Sequence, residues 1–144
     1  MEIEDDLISL KLPDATQEES IIKVIGVGGG GSNAVNHMFR QGIHGVEFVV
    51  CNTDIQALRQ SRVKNRIQLG KELTEGRGAG CQPERGRLSA IESMDFIKTI
   101  LEHNTRMVFI TAGMGGGTGT GAAPEIARQA KELGILTIGI VTVP

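Results

Sequence analysis

The sequence predicts an α/β fold, in which the strands of a parallel sheet are connected by crossover helices. Apolar runs typical of buried strands alternate along the chain with helical stretches, which is the pattern of such a sheet. Two glycine-rich segments each follow an apolar run directly and open a helical stretch. With 144 residues, of which 40% are hydrophobic, the chain is long enough to bury the core of one domain.

The individual elements follow from apolar periodicity and from residues that end helices. Strands are predicted at residues 21–27, 46–52, 107–111 and 135–143, with a short strand at 66–69. Helices are predicted at residues 33–41, 54–60, about 83–103 and 124–133, and Gly42 and Gly134 end the first and the last of them. Residues 71–82 are rich in glycine and lack apolar periodicity, so they are interpreted as a mobile functional loop.

The first 20 residues differ from the rest of the chain in their charge. They hold seven acidic residues and one lysine, a net charge of −6, whereas the remaining residues hold 14 basic and 10 acidic residues, a net charge of +4. This segment has neither a basic start nor a long apolar stretch, so it is predicted to be a flexible or loosely docked tail rather than a signal peptide or membrane anchor. We therefore expect a cytoplasmic protein without direct membrane insertion.

Composition also argues against a nucleic-acid site and a metal site. The net charge of −2 and the 3% aromatic content argue against a nucleic-acid partner, because single-strand binders stack bases on aromatic side chains. Cys51 and Cys81 belong to no CxxC pattern, and the three histidines have no carboxylate or thiol at ligand spacing. We expect neither a structural disulfide nor a metal held directly by these side chains.

The strongest functional signal is the glycine-threonine segment, residues 113–121. It follows the strand predicted at 107–111 and leads into a helix. Glycines without Cβ let backbone N–H groups curl around an anion beside the positive end of that helix, and the threonines can add hydroxyl donors. The segment lacks the Lys and Ser or Thr pair of the common P-loop. The nucleotide-binding residues predicted here are Gly113, Met114, Gly115, Gly116, Gly117, Thr118, Gly119, Thr120 and Gly121.

The first glycine segment, residues 28–33, likewise follows a predicted strand, at residues 21–27, and leads into a helix. A plain turn needs one or two glycines, whereas this segment has four in a row. We therefore predict contacts from its backbone to phosphates, and we expect Asn33 to cap the following helix. The nucleotide-binding residues predicted here are Gly28, Gly29, Gly30, Gly31, Ser32 and Asn33.

A different reading of the first segment stays open at this point. Gly26, Gly28 and Gly31 fit the GxGxxG pattern, and Asp54 ends the next apolar run. In an NAD(P)-binding Rossmann domain of an oxidoreductase, these positions hold the pyrophosphate and the ribose. The second glycine segment argues against this alternative, because a dehydrogenase has no need for it.

The loops that follow the predicted strands share one location. In an open parallel sheet, ligands gather outside the carboxyl ends of the strands. The two glycine segments, residues 52–54 and the glycine-rich residues 71–82 are all placed by the sequence near such ends. The sequence therefore predicts a single nucleotide site at one edge of the sheet.

The two glycine segments together, GVGGGGSN at residues 26–33 and AGMGGGTGTGAAP at residues 112–124, resemble the tubulin/FtsZ family of GTPases, and specifically its bacterial cell-division members. Residues 52–58 look like the second nucleotide loop of that family, residues 76–84 like the third, and residues 141–144 like the start of the fifth. The resemblance covers nearly all of the chain from residue 21 onward.

The resemblance implies a Rossmann-like nucleotide-binding domain with helices on both faces of the sheet. It implies GTP or GDP with Mg²⁺ as ligands. It also implies that Asp54 lies near the γ-phosphate and reaches Mg²⁺ through a water molecule, and that Gly80 and Cys81 belong to a loop that the γ-phosphate orders.

The resemblance further implies that this chain is the N-terminal part of a longer protein. After the acidic segment 1–20, residues 21–144 would form a GTP-binding domain truncated before the central helix and the second domain. The base-binding and catalytic acidic residues of the family lie beyond residue 144, so no catalytic residue is assigned and the chain alone is expected to be inactive. The whole protein would be a GTPase that polymerises head to tail at the mid-cell division ring, with division-ring proteins and membrane tethers bound through its C-terminal part.

Overall fold

A computed structural model describes residues 8–9 and 21–144 of the chain, and it contains one six-stranded sheet. The strands are β1 (Ile8–Ser9), β2 (Ile22–Val27), β3 (Glu47–Asn52), β4 (Asn65–Gln68), β5 (Met107–Gly113) and β6 (Leu136–Thr142). The helices are α1 (Gly28–Arg40), α2 (Ile55–Gln60), α3 (Lys71–Thr74), α4 (Pro83–Glu92), α5 (Met94–Glu102) and α6 (Thr118–Glu132).

The strands lie in the order β1-β4-β3-β2-β5-β6. Strands β2 to β6 are parallel to one another, and β1 alone is antiparallel to its neighbour β4. In the centre of the sheet, Ile25 of β2 lies opposite Val49 of β3 on one side and Ile110 of β5 on the other. The predicted α/β fold with a parallel sheet is confirmed.

Helices cover both faces of the sheet, as the resemblance implies. Along β5, Val108 and Ile110 point into the larger core, which also contains buried side chains of α4, α5 and α6. Phe109, between them, packs against the smaller core formed with α1 and α2. Because successive side chains of a strand point to opposite faces, a continuous apolar run is what a strand buried on both faces requires.

Two predicted helices begin earlier than the sequence suggested. Helix α1 begins at Gly28 rather than at residue 33, and α6 begins at Thr118 rather than at residue 124. Pro124 is the seventh residue of α6 and not its first. Glycine is a poor helix former and proline usually marks a helix start, but close packing against the sheet overrides both preferences here.

The predicted single helix at residues 83–103 is two helices, α4 and α5, which meet at Ser93. The hydroxyl of Ser93 accepts a hydrogen bond from the N–H of Gly70 at 3.0 Å and donates one to the carbonyl of Gln68 at 3.3 Å. This side chain therefore ties the junction of the two helices to the end of β4. The predicted loop at residues 71–82 begins with the short helix α3, and its mobility stays a prediction.

Only two residues of the acidic segment 1–20 are described. Ile8 and Ser9 form β1, with Ile8 opposite Ile67 and Ser9 opposite Arg66 of β4. The predicted flexibility of the rest of this segment concerns residues outside the described part of the chain. Within residues 8–9 and 21–144, no helix is both long enough and apolar enough to cross a membrane.

Candidate functional site

Two helix N-termini meet at the carboxyl edge of the two central strands. Helix α1 follows β2 directly and α6 follows β5 after four residues, and β2 and β5 are neighbours in the sheet. Neither helix has a side-chain hydrogen bond at its N-cap, and neither has an acidic residue in its first turn. Their first N–H groups and the positive ends of their dipoles are therefore available to an anion.

Some glycines of the two segments are required by close packing. A Cβ on Gly31 would lie 2.3 Å from the carbonyl oxygen of Thr111, and one on Gly30 would lie 3.2 Å from the Cα of Gly113. Gly28 has a φ of +75°, and its Cβ would lie 2.8 Å from the N atom of Gly119. These glycines bring the two segments into direct contact.

Other glycines border open space instead. A Cβ on Gly29, Gly80 or Gly116 would have no heavy atom within 4 Å. Gly29 and Gly80 are also exposed. The glycine segments therefore have one side that packs and one side that leaves room beside the backbone, which is the arrangement that a phosphate cradle needs.

The predicted third loop lies against the glycine-threonine segment. A Cβ on Gly117 would lie 2.9 Å from the Cβ of Ala79 and 3.2 Å from the Cα of Cys81. Residues 79–82 therefore sit beside the N-cap of α6. This contact brings Gly80 and Cys81 to the same edge as the two glycine segments, as predicted.

Thr53 connects the second loop to its neighbours. Its hydroxyl and that of Thr118 share a buried hydrogen bond of 2.6 Å. Its carbonyl accepts a hydrogen bond from the N–H of Gly78 at 3.3 Å, and the N–H of Ile55 donates to the carbonyl of Gly76 at 3.1 Å. The predicted site residues do not include Thr53, although a threonine placed directly after a strand was a signal that could have identified it.

Replacing Thr118 by valine is expected to destabilise the protein by about 1–3 kcal/mol, because the hydroxyl of Thr53 would be left buried without its partner. Urea unfolding followed by circular dichroism measures this change. The double variant Thr53→Val, Thr118→Val is expected to lose less stability than the two single variants added together, since it leaves no orphaned hydroxyl. Strict additivity would contradict a direct bond between the two side chains.

Asp54 caps helix α2. Its carboxylate accepts hydrogen bonds from the N–H groups of Gln56 at 2.9 Å and Ala57 at 3.3 Å, both through Oδ1. The helix predicted at 54–60 thus begins at Ile55, with Asp54 as N-cap. Capping fixes the carboxylate at the carboxyl end of β3, close to the glycine-threonine segment through Thr53. The described residues contain no group of three or more His, Cys, Asp or Glu side chains that could hold a metal ion.

The structure corrects one role predicted for the glycine segments and adds packing details at two other positions. Asn33 is not a helix cap: it is the sixth residue of α1 and is exposed, and the N-cap is Val27. Ser32 is buried, and its hydroxyl has no hydrogen-bond partner. Gly121 lies inside α6, where a Cβ would be 1.8 Å from the carbonyl oxygen of Pro83. Its observed role is to let α4 approach α6.

The threonines of the glycine-threonine segment are both engaged within the protein. Thr118 bonds Thr53, and the hydroxyl of Thr120 accepts a hydrogen bond from the N–H of Gly115 at 2.9 Å. A Cβ on Gly115 would lie 3.3 Å from the Cβ of Pro144, so residues after β6 reach the same edge. The structure thus brings together all the segments that the sequence placed at one site.

The two cysteines lie in opposite environments. Cys51 of β3 is buried, and burial raises the pKa of its thiol from 9.0 to about 12. Cys81 is exposed in the third loop. Because the thiolate is the reactive form, only Cys81 is accessible to reagents in the folded protein.

At pH 8, a maleimide reagent is expected to label one thiol in the folded protein and two in urea, and the Cys81→Ser variant is expected to label only in urea. Mass spectrometry of the labelled protein checks this. The raised pKa of Cys51 also makes the folded state lose stability above pH 9, where the unfolded thiol ionises and the buried one does not. Rapid labelling of folded Cys81→Ser would contradict the burial of Cys51.

Three comparisons with known proteins bear on this site. The model of the Tubulin/FtsZ family, GTPase domain, matches residues 21–144. The chain is 59% identical over 132 residues to the cell division protein FtsZ of Buchnera aphidicola subsp. Acyrthosiphon pisum (strain APS), which is 92% of this chain and 34% of that protein. It is 60% identical over 123 residues to the cell division protein FtsZ of Aquifex aeolicus (strain VF5), which is 85% of this chain and 33% of that protein.

A solved structure shows the same fold. The empty FtsZ dimer of M. jannaschii superposes with a TM-score of 0.84 and 43% sequence identity, over 90% of this chain and 37% of that chain. The chain thus spans about a third of the length of the curated relatives it matches. The family match includes Gly26, Gly28, Gly31 and Asp54, so the comparisons give the oxidoreductase alternative no support.

Proposed function

The chain belongs to the tubulin/FtsZ family of GTPases, and from that premise we propose that it binds GTP and GDP at the carboxyl edge of its sheet. The observation that carries the proposal is the meeting of two uncapped helix N-termini beside glycines that border open space. N–H groups and helix dipoles together favour the charge of a di- or triphosphate. No lysine is needed in such a cradle.

The segments of the site have separate tasks in this proposal. Residues 28–31 and 116–119 supply N–H groups to the phosphates, while the N–H of Gly115 is held by the hydroxyl of Thr120. Gly80 is exposed and has open space where a Cβ would stand. It contacts the γ-phosphate through its N–H group, so residues 78–81 are ordered differently with GTP and with GDP. Cys81 belongs to the same loop as Gly80, and its backbone is proposed to lie beside the nucleotide. Ser32 and Asn33 follow the first glycine segment on α1 and are proposed to lie at the same site.

Mg²⁺ accompanies the nucleotide in this proposal. The donors fit: Asp54 is the carboxylate fixed at this edge, and its capping bonds both use Oδ1. Asp54 would hold a water molecule bound to the cation. The other ligands of the cation would be mostly phosphate oxygens and further water molecules. The bound cation neutralises part of the phosphate charge.

The activity of the whole protein is a further part of the proposal. The relatives carry the name cell division protein, and the chain covers about a third of them. We propose that the whole protein hydrolyses GTP within a head-to-tail filament of its own copies, where the next subunit supplies the acids that orient water. It would act in the cytoplasm at the mid-cell division ring during septum formation, with other division proteins and membrane tethers bound beyond residue 144. The chain described here would bind nucleotide without hydrolysing it.

Isothermal titration calorimetry with GTP, GDP and NADH in magnesium buffer tests the proposed site. Binding of the guanine nucleotides without NADH supports it. Binding of NADH alone contradicts it, and binding of none of the three means that segments beyond residue 144 are needed to form the site. Gly117 and Gly119 are poor positions for a control variant, because a Cβ on either would lie 2.9 Å from a neighbouring atom. Gly29, which borders open space, is the better one.

A further inference from the structure

The segments that form the candidate nucleotide site contain a single side-chain cation. These segments are the two glycine segments, the second and third loops, and the end of β6 with the residues after it, at residues 28–33, 113–121, 52–58, 76–84 and 141–144. Arg77 is their only lysine or arginine, and Asp54 and Glu84 are their only acids. Helix dipoles and N–H groups carry partial positive charge, so Arg77 is the one full positive charge that these segments can bring to a nucleotide.

The arginines that follow the third loop are engaged elsewhere. Arg85 donates from Nη2 to a backbone carbonyl of α3 at 2.9 Å, and Arg87 donates from Nε to the carboxylate of Glu84 at 2.9 Å. Arg77 is held more weakly. Its Nη2 lies 3.6 Å from Oε2 of Glu75, and the two side chains are 83% and 70% exposed. An ion pair this long and this exposed contributes little, so a better anion can displace Glu75.

The backbone fixes the place of Arg77 at the site. Arg77 and Asp54 are paired in an isolated antiparallel bridge. The two hydrogen bonds that join residues 53 and 55 to the third loop lie on either side of this pair. It is therefore a non-hydrogen-bonded pair, in which the two opposite side chains lie close together and on the same face. The guanidinium of Arg77 thus extends from the same face of the bridge as the carboxylate of Asp54.

These two neighbouring side chains do not use each other as partners. Oδ1 of Asp54 accepts the N–H groups that begin α2. Within the part of the chain that the structure describes, Arg77 forms its ion pair with Glu75 and none with Asp54. A cation and an anion therefore stand side by side at the carboxyl edge, and each is oriented so that a third group can bind it.

We propose that the guanidinium of Arg77 binds the terminal phosphate of GTP. The inference rests on the proposed nucleotide site, in which that phosphate lies beside Asp54 and Gly80. A planar guanidinium presents paired N–H donors that match two phosphate oxygens. GDP lacks the terminal phosphate, so Arg77 stays with Glu75 when GDP is bound. Arg77 is therefore a residue that discriminates GTP from GDP, through a side chain rather than through the backbone of the third loop.

Isothermal titration calorimetry of Arg77→Gln with GTP and with GDP, in magnesium buffer, tests this role. The affinity for GTP is expected to fall about tenfold, as the loss of one hydrogen bond between charged groups gives. The affinity for GDP is expected to change by less than about twofold, because only a screened charge is removed. The ratio of the two affinities is the decisive quantity, since general damage to the site lowers both. Circular dichroism confirms that the variant is folded.

Arg106→Gln is the matched control. Arg106 is exposed and directly precedes β5, so it stands at the opposite edge of the sheet. The substitution removes the same charge from the protein. It is expected to leave the ratio of GTP affinity to GDP affinity unchanged.

Glu75→Gln tests the exchange of partners from the other side. It is expected to raise the affinity for GTP about twofold, because a weak exposed ion pair no longer competes for Arg77. The gain is expected to disappear in the double variant Glu75→Gln, Arg77→Gln. A gain that remained in the double variant would mean that Glu75 repels the phosphate directly, and it would contradict the exchange.

The failure of this inference and the failure of the proposed site give different results. An unchanged affinity ratio in Arg77→Gln would overturn the inference and leave the nucleotide site intact, because both nucleotides would still bind. Absence of guanine-nucleotide binding by the unaltered chain would remove the proposed site from this chain, and the inference would fall with it. Sedimentation velocity identifies one further outcome. If Arg77→Gln weakens GTP binding only at concentrations where copies associate, Arg77 contacts a second copy rather than the phosphate, and the inference is overturned.

Discussion

Gly121→Ala is expected to lower the free energy of unfolding by about 3 kcal/mol or more. This loss is at or above the upper end of the usual cost of adding a methyl group to a packed interior. Gly121 lies in α6, and a Cβ there would be 1.8 Å from the carbonyl oxygen of Pro83 and 2.6 Å from the N atom of Arg87, both in α4. These are backbone atoms, so no change of rotamer can relieve the contact. The two helices would have to separate along their whole interface. Urea unfolding monitored by circular dichroism measures the change in the midpoint.

Separation of α4 and α6 would also displace the loops of the candidate nucleotide site. Helix α4 begins within the third loop, at Pro83, and α6 begins within the glycine-threonine segment. Gly86 makes a second close approach between them, since its Cβ would lie 2.4 Å from the carbonyl oxygen of Gly117. Gly121→Ala is therefore expected to lower nucleotide affinity as well as stability.

Gly139→Ala is the matched control. Gly139 lies in β6, is exposed, and a Cβ there would have no heavy atom within 4 Å. The same added methyl group is expected to change the free energy of unfolding by less than about 0.5 kcal/mol, as at other surface positions. An unfolding midpoint of Gly121→Ala equal to that of Gly139→Ala would mean that α4 and α6 do not approach as closely as described.

Strands β2 and β3 were predictable because burial on both faces leaves a continuous apolar run. The strand predicted at 21–27 is β2 from Ile22, and the one at 46–52 is β3 from Glu47. Strand β1 was not predicted, because it consists of two residues in an acidic stretch and is defined by its partner β4 rather than by its own pattern. Pairing of this kind depends on long-range contacts that local sequence does not record.

The starts of the helices were not predictable from propensity. Four glycines open α1, and glycine costs a helix roughly 1 kcal/mol per residue relative to alanine. The structure accepts this cost because Gly30 and Gly31 lie against Gly113 and Thr111, where larger residues do not fit. The glycines that the sequence assigned to phosphates thus also have a packing role, which only the structure shows, and their contact with phosphates stays a prediction.

The convergence of the candidate site's loops was predictable, but the hydrogen bonds between them were not. Loops at the carboxyl ends of parallel strands must share an edge, so the convergence of the second loop, the third loop and the two glycine segments followed from strand order. The bond between Thr53 and Thr118 joins residues 65 positions apart. Nothing in the local pattern around either threonine indicates the other.

Gly29→Asp is expected to weaken GTP binding by about 100-fold or more, because a fixed carboxylate beside the phosphates costs several kcal/mol. Gly29 is the second residue of α1, is exposed, and has room for a side chain. The positive end of the helix dipole stabilises a carboxylate at this position, and replacing a glycine within a helix is itself stabilising. The protein is therefore expected to unfold at the same or a higher urea concentration while it loses the nucleotide, as calorimetry and urea unfolding of one preparation can measure.

These opposite signs distinguish loss of binding from loss of fold. Gly29→Asn has nearly the same shape without the charge, so it is expected to retain most of the affinity for GTP and to show whether charge or bulk is responsible. The ratio of the two affinities should fall as salt is added, since part of the repulsion is screened. If Gly29→Asp binds GTP as tightly as the unaltered protein, the phosphates do not lie at the N-terminus of α1. The site would then have to be sought at the N-terminus of α6, where Gly116 also borders open space.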